Sequence, residues 1–137
     1  MATYTGGDIT EITWNHPTLG SGILRVKASE DNTYDLGGLR VNDDANQLTG
    51  DGTNIKQMNQ HRWFVNVTCA WDMNINLDLE KINALAAAPI SATWTITSIN
   101  GSIYGGVGDP VGDLAGNVNN VTFPLTISGG GKLAKTI

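Results

Sequence analysis

The stretch RWFVNVTCAW, residues 62–71, decides the fold class. Trp63, Val65, Val67, Cys69 and Trp71 alternate with Arg62, Asn66 and Thr68, giving one apolar, heavily aromatic side and one polar side. That period of two is the pattern of a β-strand with one dry face and one wet face. Working outward, the pattern recurs. In GILRVKAS (22–29) Leu24, Val26 and Ala28 alternate with Arg25 and Lys27; in SATWTITSI (91–99) Trp94 and Ile96 oppose Thr93, Thr95 and Thr97. In NVTFPLTIS (120–128) Val121, Phe123, Leu125 and Ile127 oppose Thr122, Thr126 and Ser128. Pro124 cannot donate to a ladder, so it predicts an edge or a bulge for that strand.

The period changes once. In NINLDLEKINALAAAP (74–89) Leu79, Ile82 and Leu85 or Ala86 recur at helical spacing, Asn76 or Asp78 can cap the start, and Pro89 closes the end. Between the strands, YDLGGLRV (34–41) reads as a strand weakened at Gly37-Gly38, where a bulge or a close backbone approach accounts for two glycines. NDDANQLTGDGTN (42–54) is poor in apolar residues and rich in turn formers, which predicts a long mobile loop. The tail GGGKLAKTI (129–137) reads as a glycine hinge followed by an arm. Strands on both sides of one helix predict a mainly β domain, a sandwich or half-barrel with one flanking α-helix.

At 137 residues the chain is one domain's worth. Only 15% of residues are charged and the net charge is −5, with eight Lys and Arg scattered along the chain. No basic patch for gripping phosphates is visible in that distribution. The start, MATYTGGDIT, has no positive segment leading into an apolar run, and no apolar stretch approaches membrane-spanning length, so neither a signal peptide nor a membrane anchor is expected. Cys69 is the single cysteine, which excludes an internal disulfide and a cysteine-based zinc cluster within one chain.

The stretch that looks most like chemistry is IYGGVGDPVGDLAGN, residues 103–117. A dinucleotide turn must open directly into a helix, because the pyrophosphate rests on free N–H groups there. Here the glycines run through Pro110 into further turn residues and then a strand, so the stretch reads as shaped backbone. GGGK at 129–132 fails as a phosphate loop, with Thr126 at the first glycine position and Leu133 where a hydroxyl must meet magnesium. In the Asp-rich loop Leu48 falls where a calcium ligand is needed, and no glutamate closes the set. His16 and His61 have no recognisable nucleophile motif beside them. No catalytic residue, cofactor or metal is expected.

The runs YDLGGLRVNDDANQLTGDG, RWFV, AWDMN and LDLEKINALAAAP, followed by ATWTITSINGSIYGGVGDPVGDLAGNVNNVTFPLTISGGGKL, resemble tail tube proteins of tailed bacteriophages, over about Gly22 to Leu133. The resemblance implies a structural virion protein made in the host bacterial cytoplasm and residing in the virion tail. Its strands would join those of neighbours into a hexameric ring barrel, and rings would stack into a hollow conduit through which DNA passes during ejection without sequence-specific binding. It implies a single tail-tube domain over 1–137, with the N-terminal segment 1–20 and the C-terminal arm 129–137 as contact extensions. An inter-ring stacking loop would comprise Asn42, Asp43, Asp44, Asn46, Gln47, Thr49, Asp51 and Asn54. An inter-subunit loop would comprise Tyr104, Gly106, Gly108, Asp109, Pro110, Asp113 and Asn117, and the arm would act through Lys132 and Leu133. The partners would be further copies of the chain, tail terminator, baseplate or tip and tape-measure proteins, and a sheath protein if the tail is contractile, with the helix near Leu79 to Ala87 as its contact face. The tubes of contractile injection particles resemble the same pattern. A reading from a different class is a monomeric carbohydrate-binding β-sandwich, with Trp14, Trp63, Trp71 and Trp94 as a stacking platform.

Overall fold

The computed structural model describes residues 3–41, 47–72, 74, 78–112 and 114–136. The chain is mainly β. Its strands are β1 (Ile9–His16), β2 (Gly20–Val26), β3 (Thr33–Asp35), β4 (Gly38–Val41), β5 (Met58–His61), β6 (Trp63–Ala70), β7 (Ala92–Ser98), β8 (Ile103–Val111), β9 (Thr122–Gly129) and β10 (Ala134–Lys135), with one helix, α1 (Asp78–Ala87), between β6 and β7. All strand pairings are antiparallel. β8, β7, β1, β2 and β6 follow one another in the sheet, and β9 pairs with both β6 and β8. That double pairing closes a six-stranded barrel.

The closure corrects the expectation of a sandwich or half-barrel. A strand with partners on both sides leaves no edge, and closure within one chain satisfies the backbone that an open half-barrel would expose. β9 pairs with β6 along its whole length, from Trp63↔Gly129 to Ala70↔Thr122, but with β8 only from Asp109↔Ser128 to Val111↔Thr126. Pro124 therefore falls in the half of β9 that β8 does not reach, where a missing N–H toward that side costs no ladder bond.

Alternation fills the barrel. Ile12 and Trp14 of β1, Leu24 of β2, Trp63 to Cys69 at every second position of β6, Trp94 and Ile96 of β7, and Phe123, Leu125 and Ile127 of β9 are all buried. Ile82 and Leu85 of α1 join the same core, with Leu79 packed against it, so the helix buries the stripe its spacing predicts. α1 ends at Ala87, next to Ala88 and Pro89, as a proline stop requires.

The first strand was not legible as one. Residues 9–16, in the segment expected to extend outward for contacts, form a central strand between β2 and β7. Its row of four residues, Gly22↔Trp14↔Trp94↔Gly106, sets two indoles between two glycines across β2, β1, β7 and β8. The glycines at the two ends of the row offset the bulk of the indoles between them, which is how a narrow barrel accommodates tryptophan.

The same volume argument explains the glycine-rich stretch. Ile103–Val111 is not a turn but a nine-residue strand of the barrel wall. The Trp63 indole lies against it: a β-carbon on Gly108 would stand 2.8 Å from Trp63 Cζ2 and against the carbonyl of Ser128. One on Gly106 would stand 2.9 Å from Leu133 Cδ2 and 3.0 Å from Trp63 Cε2. The glycines make room for a tryptophan and a leucine of their own chain. Trp94 completes the arrangement by donating its indole N–H to the Gly108 carbonyl at 2.9 Å, inside the core.

Candidate functional site

Four strands lie outside the six-stranded barrel: β3 and β10 extend its sheet, and two stand apart from that sheet. β4 and β5 form a separate two-stranded sheet whose register runs from Gly38↔His61 to Val41↔Met58. The β3–β6 ladder beside it runs from Thr33↔Asn66 to Asp35↔Phe64, and in both ladders the paired numbers sum to 99. The two ladders are therefore one ribbon, interrupted at Leu36-Gly37, and the outer part extends the β3–β6 ladder beyond its last barrel pairing as an arm. The weak point read from Gly37-Gly38 is the root of this arm.

Gly37 takes φ +70° there, and a β-carbon on it would lie 2.6 Å from the Trp63 nitrogen and 2.9 Å from the Gly131 carbonyl oxygen. No other residue fits that crossing without moving the backbone. Asp35 braces it: its carboxylate accepts the Gly37 N–H at 2.9 Å and pairs with the Arg40 guanidinium through two contacts, one of them at 3.2 Å. The Arg40 bond, then the Gly37 N–H, hold the Asp35 carboxyl below the ordinary carboxylate value.

The arm carries apolar side chains that its own chain leaves uncovered. Leu39 is 57% exposed, Met58 48% and Val41 46%. Leu39 and Val41 share a face with their partners Gln60 and Met58, since directly paired residues project to the same side. Leu48 and Ile55 add exposed apolar surface toward the tip. Two-stranded ribbons are marginal by themselves, and both outer edges of this one lack ladder partners among the described residues.

Several residues of the expected stacking loop lie at the tip. Leu48 bridges Asn54, the Ile55 N–H reaches the Gln47 carbonyl at 2.9 Å, and the Thr49 N–H reaches the Thr53 carbonyl at 2.8 Å. Asp51 accepts the Thr49 hydroxyl and the Thr53 N–H, and these bonds lower its carboxyl below the ordinary value. Of the stretch 42–54, expected to be a mobile loop, the described residues 47–54 form with Ile55 a hydrogen-bonded turn with Thr49, Asp51 and Asn54 on its surface. Asn42, Asp43, Asp44 and Asn46 fall outside the described residues, as do Asn76 and Asp113.

The residues expected in an inter-subunit loop are dispersed. Tyr104 packs against Tyr34 with ring centroids 5.6 Å apart and the rings tilted by 45°, Gly106 and Gly108 face the core, and Asp109 accepts the Ser91 hydroxyl at 2.8 Å. Pro110 pairs with Ile127 in the wall, and Asn117 caps a turn by accepting the N–H groups of Asn119 and Asn120. The C-terminal segment is not a free arm: Leu133 is 2% exposed, and β10 pairs with Tyr104 and Gly105 of β8. A leucine with an apolar slot to fill gains more from docking than from projecting into water.

The stacking platform does not form. Trp14, Trp63 and Trp94 are buried, and Trp71 is half-buried against the core. His16 is a structural group: its Nε2 donates to the Ile90 carbonyl at 2.9 Å while Nδ1 accepts the N–H groups of Thr18 and Leu19. Among the described residues no three His, Cys, Asp or Glu side chains gather as a metal site, and no helix is long and apolar enough to cross a membrane. A groove of about 750 Å³ is lined by Thr13, Thr93, Thr95, Arg25 and Lys81 among others, and Arg25 is paired with Glu11 at 3.3 Å. In comparisons with known proteins, no family model and no curated protein matches the chain.

Proposed function

We infer that the chain is a structural subunit of a bacteriophage tail tube, assembling into hexameric rings that stack as a hollow conduit for DNA. The observation that carries this reading is the arm: a ribbon continuous with the barrel's own ladder, with open edges and Leu39, Val41 and Met58 half-exposed. Such a ribbon is completed by pairing and packing against another molecule, and a second copy supplies partner strands of matching chemistry. The turn at Thr49–Asn54 lies between β4 and β5, and contact with a neighbouring ring is the role that this reading gives it. Six subunits of net charge −5 give a ring near −30, which favours a bore that a polyanion slides through, since affinity for DNA comes from cations that displace counterions. A tube of a phage-like contractile injection particle has the same architecture and differs in cargo.

The test is the mass of the chain in solution over a dilution series by sedimentation. Rings of six 14.5 kDa chains, about 87 kDa, and larger multiples of that mass are the expected species. A chain that stays at 14.5 kDa at every concentration would count against the reading.

A further inference from the structure

The root of the arm is gripped by the other end of the chain. Leu36 accepts the Leu133 N–H at 2.8 Å, Gly37 bridges Lys132, and a β-carbon on Gly38 would lie 3.2 Å from the Lys132 side chain. Leu133 itself is buried in the slot that Gly106 leaves open beside Trp63. Beyond it the strap is stitched to β8, with the Thr136 N–H on the Ile103 carbonyl at 2.8 Å. Gly129, Gly130 and Gly131 precede it, and Gly131 has φ +75°. Residues 132–136 therefore form a strap held by the buried Leu133 side chain and by its ladder with β8, and its start touches Leu36–Gly38, the pivot at the root of the arm.

We propose that this strap is the positioning element of the arm: docking of Leu133 fixes the pivot, and with it the direction in which Leu39, Val41 and Met58 are presented. A positive-φ glycine pivot has more backbone freedom than any other residue type and needs an external constraint to hold one direction. Asp35 and Arg40 brace the pivot from the arm side, and Lys132 and Leu133 brace it from the barrel side. The consequence for assembly rests on the tube reading above; the mechanical coupling does not.

Amide hydrogen exchange on the unassembled full-length chain separates the two. Leu133→Ala empties the anchor, Lys132→Ser removes the packing on Gly38 at an exposed position that leaves the core intact, and Leu133→Met refills the slot. The expected result is that amides of residues 38–41 and 58–61 exchange at least about fivefold faster in the first two variants, while those of β1 and β7 keep their native rates and Leu133→Met restores the arm. Equal acceleration of arm and barrel, no acceleration of the arm, or an arm already unprotected in the native chain would overturn the proposal. Sedimentation of the same samples reads assembly independently: loss of large species with a selectively loosened arm supports the coupling, and unchanged assembly with a loosened arm overturns its role there. A native chain that never assembles would sink the tube reading while the exchange data still decide the strap.

Discussion

Replacing Leu39 and Met58 together by serine removes half-exposed apolar surface from the arm without touching the barrel. Fully burying a leucine or methionine side chain is worth about 1.5–3 kcal/mol, so the half still open to water is worth roughly 0.8–1.5 kcal/mol apiece. The pair then contributes about 1.6–3 kcal/mol to each contact between copies. At about 1.4 kcal/mol per tenfold, the concentration at which large species appear rises roughly 14- to 140-fold. Both residues are about half exposed in the single chain, at 57% and 48%, so by the same arithmetic the covered halves bound the loss of monomer stability at roughly 1.6–3 kcal/mol. Light scattering across a dilution series gives the onset concentration, and urea unfolding at a concentration below it gives the monomer's stability. An onset equal to that of the native chain, from a variant that urea unfolding shows to be folded, would show that the arm's apolar face takes no part in assembly.

Three further outcomes follow from the packing. Gly108→Ala should lower stability by about 1–3 kcal/mol in urea unfolding, because the new methyl meets Trp63 and the Ser128 carbonyl, whereas a glycine in an open strand would gain from the same change. His16→Leu should cost roughly 2–4 kcal/mol, since it leaves the Thr18 and Leu19 N–H groups and the Ile90 carbonyl without their partner; a loss under about 1 kcal/mol would mean that water replaces it. The Asp35 carboxyl is lowered in the folded chain, so its contribution is present above the ordinary value of 3.8 and is lost as the pH falls through the lowered value. Asp35→Asn should therefore lower stability at neutral pH by the same amount by which it flattens the acid limb, a small amount because the pair is exposed; an unaltered acid limb would refute the assignment.

How far the fold was legible depended on which signal each element used. β6, β7 and β9 are read directly because their neighbours make one face dry, and α1 because Leu79, Ile82 and Leu85 keep a helical period. β1 was lost because its inner face ends in His16, a polar residue buried through four hydrogen bonds that no periodicity reveals. β8 was lost for the opposite reason: with glycine at 105, 106 and 108 it shows no side-chain pattern, and the residues that explain it, Trp63 and Leu133, are distant in sequence. The candidate site was half visible. Gly37-Gly38 marked a discontinuity, but the apolar alternation of Leu39 and Val41 gained meaning only when the constant register made them part of a projecting ribbon. The docking of Leu133 has no sequence signal, because an exposed arm and a buried strap are written with the same residues.

The central claim is that copies of this chain build a hollow tube, and electron microscopy of the purified protein, negatively stained at the highest concentration it tolerates, tests it most directly. Rings with a central opening, stacking end to end into tubes of constant bore, are the predicted images. Fields of single small particles with no ring or filament at any concentration would contradict it.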